Sequence, residues 1–85
     1  MSWIKARAVL KAAGVPIVRN ECKFSDNSHF EIAAEGGMPL NPSGPWYYAD
    51  YYEMFWGSPD LNKLLDDNGL MFEWINPGIM GVYDA

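Results

Sequence analysis

Residues 70–84, LMFEWINPGIMGVYD, decide the fold, because they read as two strands around a tight turn. Leu70–Asn76 and Ile79–Asp84 are rich in β-favouring residues. Between them Pro77-Gly78 suits the centre of a type II turn, where proline fixes the first φ and glycine takes the positive second one. Pairing Asn76 with Ile79 sets an expected register: Phe72 faces Tyr83, Glu73 faces Val82, and Trp74 faces Gly81, whose missing side chain the indole covers. The other face carries Met71, Ile75, Met80 and Val82. Apolar residues on both faces predict a hairpin that is central in its sheet or covered on its second side.

Immediately upstream, Ser58-Pro59-Asp60 is a helix start, with serine as cap, proline in the first turn and an acid at the positive end of the dipole. Leu61, Leu64 and Leu65 supply its buried stripe, and Asn68-Gly69 ends it. Further back, residues 46–56 read WYYADYYEMFW and hold seven of the chain's 13 aromatics. Tyr48, Tyr51, Tyr52, Phe55 and Trp56 fit helical spacing and predict a helix with that stripe buried. An extended segment with Tyr47, Ala49, Tyr51, Glu53 and Phe55 on one side is the alternative. Residues 36–45, GGMPLNPSGP, read as a loop.

The N-terminal half predicts a helix over residues 3–13, begun at Ser2 and stopped by Gly14 and Pro16, with Trp3, Ala6, Val9, Leu10 and Ala13 toward the core. Alternation over residues 17–24 and 30–35 predicts a second hairpin, with Ser25-Asp26-Asn27-Ser28 as its turn. Its expected register opposes Phe24 to Phe30, Cys22 to Ile32 and Asn20 to Ala34. The same register pairs Lys23 with Glu31 and Arg19 with Glu35. The whole predicts one α+β domain over residues 1–85, in the order α-β-β-α-α-β-β, with an antiparallel sheet of two hairpins and helices on one face.

Composition agrees with a small folded domain: Leu, Ile, Val and Phe make up about 22% of 85 residues. Single residues of cysteine (Cys22) and histidine (His29) exclude an internal disulfide and a histidine-rich metal cage. No apolar run reaches the roughly 20 residues of a membrane span, and Lys5, Arg7 and Lys11 break up any signal-peptide core, so a cytoplasmic location is expected. The net charge of −5 is unevenly spread, at +4 over residues 1–23 and −9 beyond. Such asymmetry suggests a polar partner or self-complementarity.

Ser28-His29 places a base beside a hydroxyl, which in a turn could form a nucleophile pair, although a polar turn histidine is the commoner use. The stretch LKAAGVPIVR, residues 10–19, with Ser28-His29 beyond it, resembles the helix-strand opening of HicA-type RNA-cleaving toxins, whose catalytic histidine sits in a Gly-Ser-His strand motif. The resemblance covers about a third of the chain and implies a catalytic His29. Asn27 stands where the glycine belongs, eight residues separate Arg19 from Ser28, and a hairpin replaces the C-terminal helix, so the chain is not assigned to that family.

Asp66-Asp67-Asn68-Gly69 looks like part of a calcium loop, but with Gly69 at the sixth position Leu64 and Ile75 fall where carboxylates are needed. It reads instead as a helix end. Gly36-Gly37 lacks the Lys-Ser/Thr of a phosphate loop, and no cofactor is implied. Two function classes remain. The first is a non-enzymatic interaction or regulatory module, self-associating or binding another protein through Trp46, Tyr47, Met54 and Met80 with an acidic rim of Asp50 and Glu53. The second is a nucleic-acid-binding regulator using Lys5, Arg7 and Lys11, which the acidic remainder of the chain disfavours. A small hydrolase using His29 ranks below both.

Overall fold

Alanine, lysine and arginine carry the first helix, α1 (Ser2–Ala12), until Gly14 takes φ +89° and turns the chain. The Gly14 and Val15 amides donate back to the Lys11 and Leu10 carbonyls, satisfying the helix end. Ala6 and Leu10 are fully buried and Trp3 packs against the same core, so the expected arc faces inward. The computed structural model describes residues 2–34 and 44–85, and the loop expected over 36–45 therefore lies mostly outside the described residues, as does the Arg19–Glu35 pair.

The strand expected over residues 17–24 does not form. Ile17 alone bridges Ile32, with the Val18 amide on the Glu31 carbonyl and the Ala33 amide on the Pro16 carbonyl. The chain then leaves the sheet through a 3-10 turn at Asn20–Cys22, and Cys22 and Phe24 end up exposed. The cause is Glu31, which is fully buried and accepts from the Phe24 amide (2.7 Å), the Ser25 amide (2.9 Å) and the Ser28 hydroxyl (2.8 Å). Bonds to a carboxylate are roughly twice as strong as neutral ones, and a buried carboxylate left unbonded would cost several kcal/mol, so the loop 23–28 folds over Glu31 instead of continuing a ladder. Lys23 donates to the Ser28 carbonyl rather than pairing with Glu31, and Arg19 meets Glu21 at 3.3 Å.

What does form is β1 (Phe30–Ala33), α2 (Pro59–Asp67), β2 (Leu70–Asn76) and β3 (Ile79–Asp84). Ser58 caps α2 through Leu61, Leu61 and Leu65 are buried, and Gly69 at φ +69° follows its end, as the sequence predicts. The terminal hairpin has its expected bounds and its Asn76–Ile79 pair, but the ladder then shifts by one residue between Trp74 and Asn76. Trp74 therefore faces Met80, Glu73 faces Gly81 and Phe72 faces Val82. Tyr83 and Ile75, not Trp74, lie over Gly81, where an added Cβ would come within 2.7 Å of the Tyr83 hydroxyl and 2.9 Å of Ile75 Cδ1.

The sheet is antiparallel with order β1-β3-β2, so among the described residues there is one hairpin and a long-range pairing of Phe30 with Val82 and Ile32 with Met80. Phe30, Ile32, Met80 and Val82 share one face with Leu70 and form a single core with Leu10, Leu61 and Leu65 from the helices. Each such side chain contributes about 1.5–3 kcal/mol of burial. Met80 is 0% exposed, which makes it core and removes it from the expected surface set. Among the described residues the result is a small single domain of two helices and a three-stranded sheet, without the expected strand over residues 17–24 and with one hairpin in place of two.

Candidate functional site

No helix forms over residues 46–56. The Trp46 carbonyl accepts from the Ser58 hydroxyl, the Tyr48 amide reaches the same hydroxyl oxygen, and the Trp46 amide donates to Asp60, which ties residues 46–48 across the start of α2. Asp50 then makes a turn: its Oδ1 accepts the Tyr52 (2.9 Å) and Glu53 (3.0 Å) amides, and Asp50 and Met54 exchange both backbone bonds. Aromatic residues lose side-chain freedom in a helix, and a short acidic side chain offers the amides another acceptor. Those two amide bonds hold the Asp50 carboxyl below its ordinary value. Burial, then the charge of Asp50, push the Tyr48 phenol up; its oxygen lies 3.4 Å from Asp50 Oδ2.

Beyond the turn the chain presents aromatic rings at the outer strand β2. Trp74 meets Tyr51 edge-on at 5.5 Å and Phe72 edge-on at 6.1 Å, while Phe55 lies tilted at 6.1 Å. Phe55 in turn meets Tyr51 at 5.3 Å and Trp56 at 5.0 Å, both edge-on. Such edge contacts add about 0.5–1.5 kcal/mol each beyond burial. Two side chains hold this loop by its backbone: Trp74 Nε1 donates to the Phe55 carbonyl (2.9 Å) and Asn62 to the Trp56 carbonyl (2.7 Å). Gly57, at φ +79°, lies so close to Phe72 that a Cβ would come within 3.0 Å of its ring.

Together these residues and the flank of α2 enclose an open groove of about 800 Å³, lined also by the buried Leu65 and Leu70 and the exposed Asp66 and Glu73. Trp56 is 80% and Tyr52 83% exposed, although their neighbours are firmly held. The loop thus inverts the sequence reading of the segment: the stripe expected in the core includes its most exposed rings. Among the residues expected outside, Trp46 is exposed, Glu53 is exposed on the turn, Met54 is half-buried and Tyr47 packs against the core. Asp50 is half-buried and organises the turn. Phe72, Trp74 and Met71 were legible only as hairpin residues; the aromatic density of 46–56 was the available signal, and it gives the segment without the side.

The other candidates are dispersed. Lys5 and Lys11 are exposed and Arg7 half-buried on α1, whose Trp3 stacks on His29 at 5.4 Å beside β1, the strand opposite the groove. His29 Nε2 lies 2.9 Å from Asp84 Oδ1, whereas the buried Ser28 hydroxyl is taken by Glu31 and the Ser25 carbonyl, so base and hydroxyl are not engaged with each other. At residues 66–69 the Asn68 side chain bonds the Leu64 carbonyl and Lys63 meets Asp67 at 3.0 Å, the arrangement of a helix end. Among the described residues no helix is long and apolar enough to cross a membrane. Compared with protein-family models, with curated proteins and with solved structures, the chain finds no match.

Proposed function

We propose that the chain is a non-enzymatic interaction module that self-associates through the aromatic groove at β2. The observation that carries this reading is the 80% exposure of Trp56, a ring that lines the groove, on a loop clamped by Asp50, Asn62 and Trp74. Tryptophan and tyrosine dominate binding energy at interfaces, and rings held in place before contact lose little entropy on docking. Burying one such ring removes roughly 150–250 Å² from water, or about 4–6 kcal/mol, which is close to the lower bound of the cost of association. One ring is therefore insufficient. Tyr51, Phe55, Trp56 and Met71, which line the groove and are each at least 36% exposed, provide the patch that several must share.

The test is Trp56→Ala: association measured by sedimentation should weaken at least about tenfold while circular dichroism shows the chain still folded. Association of undiminished strength would move the interface away from the groove.

A second reading, a nucleic-acid-binding regulator, is favoured by Lys5, Arg7 and Lys11, which make no ion pair among the described residues. It expects oligonucleotide binding that strengthens as salt falls and is lost in an Arg7→Glu/Lys11→Glu variant. No binding at low salt would end it.

A further inference from the structure

The apolar residues of α1 do not all face inward. Ala6 and Leu10 are buried, but Ile4 is 52% exposed, and Ala8 and Ala12 follow it in the open at helical spacing. Lys5, Arg7 and Lys11 flank this outer strip. The groove has the complementary character: aromatic walls, with the exposed Asp66 and Glu73 in its lining and neither of them ion-paired among the described residues. The two surfaces sit at different edges of the sheet. Trp3 of α1 stacks on His29 beside β1, and Pro16–Val18 runs along β1, whereas the groove is built on β2 and α2.

Building on the self-association reading above, we propose that the occupant of the groove is α1 of a second copy. Its Ile4-Ala8-Ala12 strip, narrow because two of its members are alanines, lies along the aromatic walls. The lysine and arginine stems cover ring faces, and their charged heads reach Asp66 and Glu73. Different patches meet across this contact, so it is completed either reciprocally in a pair or head-to-tail along a chain of copies. Two like grooves placed face to face would instead bring Asp66 and Glu73 of both copies together, which charge repulsion opposes.

Charge reversal with mixing tests this directly. One variant carries Lys5→Glu, Arg7→Glu and Lys11→Glu; the other carries Asp66→Lys and Glu73→Lys. Each alone should associate at least about tenfold more weakly than the natural chain, and an equimolar mixture should regain the lost mass, because every contact then joins opposite charges. Arg7 is half-buried, so Lys5→Glu/Lys11→Glu serves if the triple variant unfolds, with circular dichroism as the check. Reversals that leave association intact while Trp56→Ala abolishes it would overturn the α1 pairing and leave the groove as a symmetric apolar interface. Two folded monomeric variants whose mixture stays monomeric would also overturn it. A natural chain that is monomeric at every concentration would remove the self-association reading itself.

Discussion

Glu31 shows how one side chain redirects a segment. Replacing it with alanine leaves the part-buried Phe24 and Ser25 amides without their acceptor and removes one of the Ser28 hydroxyl's two acceptors, and each group left unsatisfied costs about 1–3 kcal/mol. Glu31→Ala is expected to lower stability by about 3 kcal/mol or more in urea unfolding, with Glu31→Gln between it and the natural chain. Equal stability of all three would refute the role given to Glu31. Asp50 yields a pH-dependent counterpart. Its folded carboxyl titrates below the ordinary 3.8, so its contribution to stability is full above that pH and is lost as pH falls through the lower folded value. The difference in stability between the natural chain and Asp50→Ala should accordingly narrow in acid below pH 3.8; a constant difference would contradict the amide bonds as its origin. Neither role was legible in the sequence. Glu31 fits the solvent side of an alternating strand as well as it fits a buried anchor, because alternation records residue type and not which groups the chain will bring to a carboxylate.

At the scale of elements, α2 and the last hairpin were readable because their signals are local: a cap, a proline, a positive-φ glycine and a two-residue turn. The register shift beside Ile75 was not, since a bulge depends on how Tyr83 and Ile75 crowd Gly81 across the strands. Nor was the pairing of β1 with β3, which joins residues about 50 apart in the chain. Segment 46–56 failed for another reason. Its helical spacing was real, yet Ser58 and Asp50 claimed its backbone groups first. Ser58 serves two elements at once, capping α2 through the Leu61 amide and holding Tyr48 and Trp46. Ser58→Ala should therefore cost more than the typical 1 kcal/mol of a lost cap, about 2 kcal/mol or above, and should alter tryptophan fluorescence through the displaced aromatic loop. A loss confined to about 1 kcal/mol with unchanged fluorescence would show that the cap acts alone.

For the whole molecule, α1 with Lys5, Arg7 and Lys11 lies toward β1, whereas Asp66 and Glu73 line the groove on β2. The sequence revealed the unequal charge and the aromatic surplus; only the sheet order puts them at opposite edges. The groove leaves large rings in water on a held loop, and self-association covers them with another copy of the chain. The most direct measurement is molar mass by light scattering across a wide concentration range. The predicted result is a mass that rises from 9.6 kDa to at least twice that value as concentration increases; a mass fixed at 9.6 kDa throughout would contradict it.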